Sequence, residues 1–183
     1  QAIRDGLEEH RRHVDEKELL ASTVNGCVNL LGEVLSLVSP VAFAKTSRVT
    51  RIVEQICERL QVTDAWEVAM AATLSQLGCI ALPDELLGRV AAPAKLSPAE
   101  SDLWNAHPKL GHDLIAKIPR MERVAGIVLR QHLPFVHTGT DTRQEHRGVP
   151  WRAACLRAAL EFDACVKLLQ KPDHALFRLK QSD

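Results

Sequence analysis

The chain has 183 residues, 46% of them apolar, which suits one domain plus an extension and excludes a disordered segment. Its 23 basic residues are balanced by 23 acidic ones, so net charge gives no general attraction to DNA, RNA or an anionic membrane. No apolar run approaches the ~18 residues of a bilayer span, and no signal peptide is visible. The five cysteines are scattered through apolar stretches without a CxxC pair, which excludes a disulfide framework and predicts a reducing, cytoplasmic setting.

The first predicted element is a long helix. Ile3, Leu7, His10, Val14, Lys17, Ala21, Val24, Val28, Leu31, Leu35 and Val38 recur in steps of four and three, a heptad seam that packs one helix against another. Two uses of the seam stay open. From Val24 onward it suits packing on the chain's own domain, whereas residues 3–21 suit a parallel coiled coil in a homodimer. The chain begins inside this helical pattern without Met and reads as a piece of a longer protein, with 1–23 as a signalling linker, 24–170 as the domain and 171–183 as a tail.

Pro40 ends the run, because the residue before a proline disfavours the α region. Helices follow over about 42–60 and 64–77, the second capped by Thr63 or Asp64. The stretch 79–83 reads as extended, and 84–89 as a short helix. Ser97-Pro98-Ala99-Glu100 is a capping box with proline at the first helical position. The spacing predicts that His107-Pro108 breaks this helix near Ala106 and that another runs over 109–118. A helix over 119–133, a polar loop over 134–148 and a last helix over 150–169 complete an all-α bundle of about six to eight helices.

The ordered motifs along these helices resemble the HD-GYP family over about residues 25–169. Ala71 to Asp84 is similar to the helix that carries that family's His-Asp pair, with Ser75-Gln76 where the pair should stand. Lys95-Leu96-Ser97-Pro98-Ala99-Glu100 resembles its Lys-Leu-Thr-Pro-Glu-Glu, and Asn105 to Gly111 resembles its Thr-His-Pro-Glu-Ile-Gly. Ile127 to His132 is similar to the run into its His-His pair. Arg147-Gly148-Val149-Pro150 resembles its Gly-Glu-Glu-Ile-Pro. The resemblance implies an HD-domain helical bundle, two metals, and hydrolysis of a cyclic dinucleotide, often behind a response-regulator receiver.

Residue by residue, the implied metal site is eroded. Lys45 stands at an early histidine, Ser75 and Gln76 at the His-Asp pair, and Gln131 at the first of the two histidines. Leu160 stands at the last ligand aspartate, with Asp163 matching a neighbouring one, and only Gly139 remains of the Gly-Tyr-Pro signature. His107 and His132 survive, and each reads more simply as a packed histidine. A two-metal phosphodiesterase needs imidazole and carboxylate ligands around ions ~3.5–4 Å apart. An amide, a hydroxyl, an ammonium and a leucine do not supply them. His112-Asp113 lies past the His-Pro turn and is a decoy, while His137 and His146 belong to the loop.

The expectation is therefore a domain with no catalytic residue, no metal and no cofactor, acting as a signalling output or interaction part. Its expected partners are a second copy of itself and other signalling proteins, with no DNA contact and no membrane insertion. Two alternatives stay open: a module that still binds cyclic di-GMP, and a phosphohydrolase with ligands rearranged around His107, His112 and His132. For the first, Lys45, Arg130, Arg143 and Arg147, with Arg48, are the candidate phosphate-binding residues.

Overall fold

The computed structural model describes residues 22–62, 64–92, 94–133 and 149–169, and all their regular structure is helical. Helix α1 covers 22–38, and α2 is Pro40–Arg59, α3 Ala65–Leu74, α4 Asp84–Ala91, α5 Pro98–Ile115, α6 Glu122–Leu129 and α7 Val149–Leu169. A 3-10 turn, Leu77–Ala81, follows α3. Residues 3–21 of the heptad helix and the loop over 134–148 lie outside the described residues, as do Thr63, Arg143 and Arg147.

Proline punctuates the start as expected. Ser39 alone interrupts the helical run, and Pro40 opens α2, where its missing N–H costs nothing. Four of the heptad residues of α1 face inward: Val28 and Leu35 are buried, and Val24 and Leu31 pack against the core, whereas Val38 at the helix end is 51% exposed. This part of the seam serves its own domain. A second apolar set on the same helix, Leu30, Val34 and Leu37, faces outward, with Leu37 83% exposed.

Helix α3 is apolar nearly all round, and such a helix belongs in the interior. It packs on α2, α6 and α7. Val68, Ala71, Ala72 and Leu74 fill the centre with Val49 and Val53 of α2, Ile127 and Val128 of α6, and Leu156, Ala159 and Leu160 of α7. A smaller core of Leu35, Ala42, Cys79 and Leu87 joins α1, α2, the 3-10 turn and α4. Cys57, Cys79 and Cys155 are buried, and the free thiols behave as small hydrophobes.

Four local expectations are corrected. The helix after Ser97 does not stop at His107-Pro108; α5 runs unbroken to Ile115 with Pro108 inside it. The capping box itself is present, with Ser97 Oγ accepting from Glu100 N and Ser97 N donating to Glu100 Oε2. At the start of α3, Asp64 adopts φ 59° and does not cap the helix. Its carboxylate instead lies 3.8 Å from Arg152, whose Nε is 3.1 Å from the buried Glu67. Residues 79–81 coil into the 3-10 turn instead of extending, and the helix expected over 119–133 spans Glu122–Leu129 alone.

Candidate functional site

Pro108 is where the site begins. A proline in a helix deletes the bond to the carbonyl four residues back, here that of Trp104. His107 takes that carbonyl with Nδ1, at 2.5 Å. A ring nitrogen facing a carbonyl must carry the proton, so Nε2 is left as an acceptor. The proline tolerated inside α5 thus sets the imidazole tautomer.

Close backbone approach brings the next residues to that imidazole. A Cβ at Gly78 would sit 1.9 Å from the His107 carbonyl oxygen and 2.9 Å from Gly111 N, one turn further along the same face of α5. Only glycine lets the 3-10 turn lie directly on α5. Ser75 and Gln76, at the end of α3, are thereby delivered beside His107. Gln131 arrives from the turn after α6, and its Nε2 donates to the Ser75 carbonyl at 3.1 Å and to His107 Nε2 at 3.3 Å. The carbonyl of Ser75 fixes which end of the amide is the donor.

Ser75, Gln76 and Cys79 are linked to one another, whereas the Gln131 amide oxygen is buried without a hydrogen bond among the described residues. Ser75 Oγ donates to Ala72 O at 2.8 Å, Gln76 Nε2 donates to Ser75 Oγ, and the Cys79 thiol leans on Gln76 Oε1. The rings of His107 and His132 stand 5.3 Å apart, and Trp104 lies 4.2 Å from His107. Lys45, on α2, places Nζ 5.3 Å from the centre of the Trp104 ring.

Burial decides the charges. It pulls His107 down to about 3 and His132 to about 4, and the nearby Lys45 pushes both the same way. Burial also lowers Lys45 itself and pushes the Cys79 thiol up to about 12. At neutral pH both imidazoles are neutral, and the charged groups of the site come from elsewhere.

The structure thus brings Lys45, Ser75, Gln76, His107, Gln131 and His132 together as the sequence pattern implies. Leu160 is placed in the hydrophobic core. Arg130 is exposed and donates to its own helix at Gly126 O, and Arg48 is committed to Asp163 through Nε and Nη2. His112 pairs with the exposed Asp113. Trp104, Asp163 and Lys167 border the same space and are absent from the set expected from sequence. Asp163 had a visible signal, its match to a family aspartate; Trp104 had only its step of three before His107.

A two-metal centre does not fit these donors. The lone pair of His107 Nε2 is taken by an amide, Ser75 and Gln76 bond to neighbours, and an ammonium stands nearby. Among the described residues, no three His, Cys, Asp or Glu side chains gather as ligands.

The signature of the HD domain matches residues 29–182. The chain belongs to the HD-domain family. Within it, this HD domain is 30% identical over 99 residues to the cyclic di-GMP phosphodiesterase response regulator RpfG of Xanthomonas campestris pv. campestris (strain 8004), covering 53% of the chain and 25% of that protein. It is 26% identical over 142 residues to a cyclic di-GMP phosphodiesterase of Thermotoga maritima, covering 73% of the chain and 38% of the relative. The chain therefore spans well under half the length of either. The matches agree with the HD-GYP-like resemblance, and the all-helical bundle agrees with the expected fold. No helix among the described residues is long and apolar enough to cross a membrane.

Proposed function

We propose that this HD domain is a non-catalytic output or interaction part of a cyclic di-GMP or two-component signalling protein. The observation that carries the reading is the Gln131 amide, which bonds to the Ser75 carbonyl and to His107 Nε2 together. It closes with protein hydrogen bonds the space where ligands to two cations would have to converge. Lys45 adds positive charge beside it, which opposes a second cation further. Purified protein is titrated with manganese, iron and zinc, analysed for bound metal, and assayed for hydrolysis of cyclic di-GMP. Substoichiometric metal and no turnover are expected; one or two bound ions with turnover would overturn the reading.

The proposal includes a homodimer formed through the N-terminal helix. The outward set Leu30, Val34 and Leu37 favours it, because a helix that serves both its own domain and a second copy needs two apolar stripes.

A further inference from the structure

Beside the amide-filled centre lies a partly open cavity of about 360 Å³, lined by α2, α4, α5 and α7. Its walls are largely apolar, formed by Val41, Leu87, Val90, Trp104 and Leu168, with alanines between them. Two lysines, Lys45 and Lys167, face the same space. Among the described residues, the one carboxylate there, Asp163, is already held by Arg48 Nε and Nη2. Arg48 and Asp163 cancel, so two positive charges are left over.

Lys45 is the unusual member. It is half-buried, it rests on the Trp104 ring, and it makes neither a hydrogen bond nor an ion pair with any described residue. An ammonium removed from water without an acceptor is costly, and an arriving anion would offset that cost. Gln76, also on the wall, spends one amide hydrogen on Ser75 and has a second to give.

We propose that the cavity is a binding site for a small amphiphilic monoanion, a carboxylate on an aliphatic body. The carboxylate sits at Lys45, with the Gln76 amide beside it, and the aliphatic body lies against Val41, Leu87, Val90 and Leu168. Three features set this ligand apart from a cyclic dinucleotide. The volume is near the lower end of the ~300–1,000 Å³ usual for small-molecule sites. Purine edges need several hydrogen-bond partners, and these walls offer few. Two phosphodiesters call for paired guanidinium forks, whereas among the described residues the one fork beside the cavity, Arg48, is committed to Asp163. The inference rests on the non-catalytic reading, since it gives Lys45 an anion to bind where a metal-loaded site would have no room for its charge.

The test uses decanoate, decan-1-ol and cyclic di-GMP as probes, with the full chain in a chelating buffer. A Trp66→Phe, Trp151→Phe background leaves Trp104 as the reporter of the cavity wall. Saturable quenching by decanoate is expected, with decan-1-ol weaker by about tenfold because it lacks the charge that Lys45 partners. Lys45→Met should abolish that difference while leaving decan-1-ol binding unchanged. Ala164→Phe, an exposed wall position on α7, should block both ligands without touching the core. Decanoate binding undiminished in Lys45→Met, or displaced by cyclic di-GMP, would overturn the proposal. So would an absence of decanoate binding in a metal-free, inactive sample, and that result would leave the non-catalytic reading standing. Stoichiometric metal with hydrolysis in the same sample would overturn both.

Discussion

His107 is a buried base that the fold holds in one protonation state. It is 1% exposed, its Nδ1 proton goes to Trp104 O, and its Nε2 accepts from Gln131. A proton added at Nε2 would meet the hydrogens of the Gln131 amide, with Lys45 also near. Burial above all, with His132 and Lys45 pushing the same way, lowers the folded imidazole to about 3 against 6.5 for the free group. Between those values the unfolded chain binds the extra proton, so stability falls as pH drops below 6.5. From pH 7 to pH 5 the loss from this residue is about 2 kcal/mol. His132, lowered to about 4, acts in the same direction but more weakly because its ring is more exposed. Urea unfolding at the two pH values should show the drop. His107→Asn, whose amide can still reach the Trp104 carbonyl, should flatten it. A wild-type protein that gains stability at pH 5 would contradict the buried neutral imidazole.

Between elements, the crossing of the 3-10 turn over α5 depends on a missing side chain. Gly78→Ala puts a Cβ inside the His107 carbonyl, which is backbone and cannot step aside. A loss of about 3 kcal/mol in urea unfolding is expected. Gly88→Ala, in α4 with nothing within 4 Å, should instead gain up to about 1 kcal/mol through helix propensity. The outer stripe of α1 gives a different contrast. Leu37→Glu touches no core contact, so at dilutions where the chain is monomeric the melting temperature should stay put, while at higher concentration sedimentation should show the proposed dimer weakened; an unchanged association would remove this stripe from the proposed interface. Much at this scale was legible in the sequence. Pro40, the Ser97 capping box and the inward heptad of α1 are local signals, each with a local cause. The continuity of α5 was not, because a proline ends a helix unless another donor takes the freed carbonyl, and that donor is the histidine just before it. Asp64 departs from the cap pattern for a similar reason: its carboxylate is drawn to Arg152, a residue 88 positions away, which no local cap rule contains.

At the scale of the molecule, the site's membership was legible and its chemistry less so. Family positions named Lys45, Ser75, Gln76, His107 and Gln131, and the fold does bring them together. What spacing could not convey is that Gln131 spans two of the others, that Asp163 is claimed by Arg48, and that Leu160 belongs to the core. These features make the departure from a metal centre collective, which a graded reversion can test. Ser75→His with Gln76→Asp restores one pair of donors but leaves Lys45 charged, Gln131 on His107 and Leu160 apolar. This double variant should bind manganese substoichiometrically. Adding Gln131→His, Leu160→Asp and Lys45→His supplies the remaining ligands the family pattern implies. Without metal, that variant should be less stable than wild type, since it buries an unpaired carboxylate at a position only 5% exposed. With manganese at a hundred times its dissociation constant, binding should restore about 2.7 kcal/mol, so its melting temperature becomes metal-dependent while that of wild type does not. Stoichiometric manganese in the double variant would show instead that the lost His-Asp pair is the whole difference, and that the amide bridge and Lys45 yield readily to a metal.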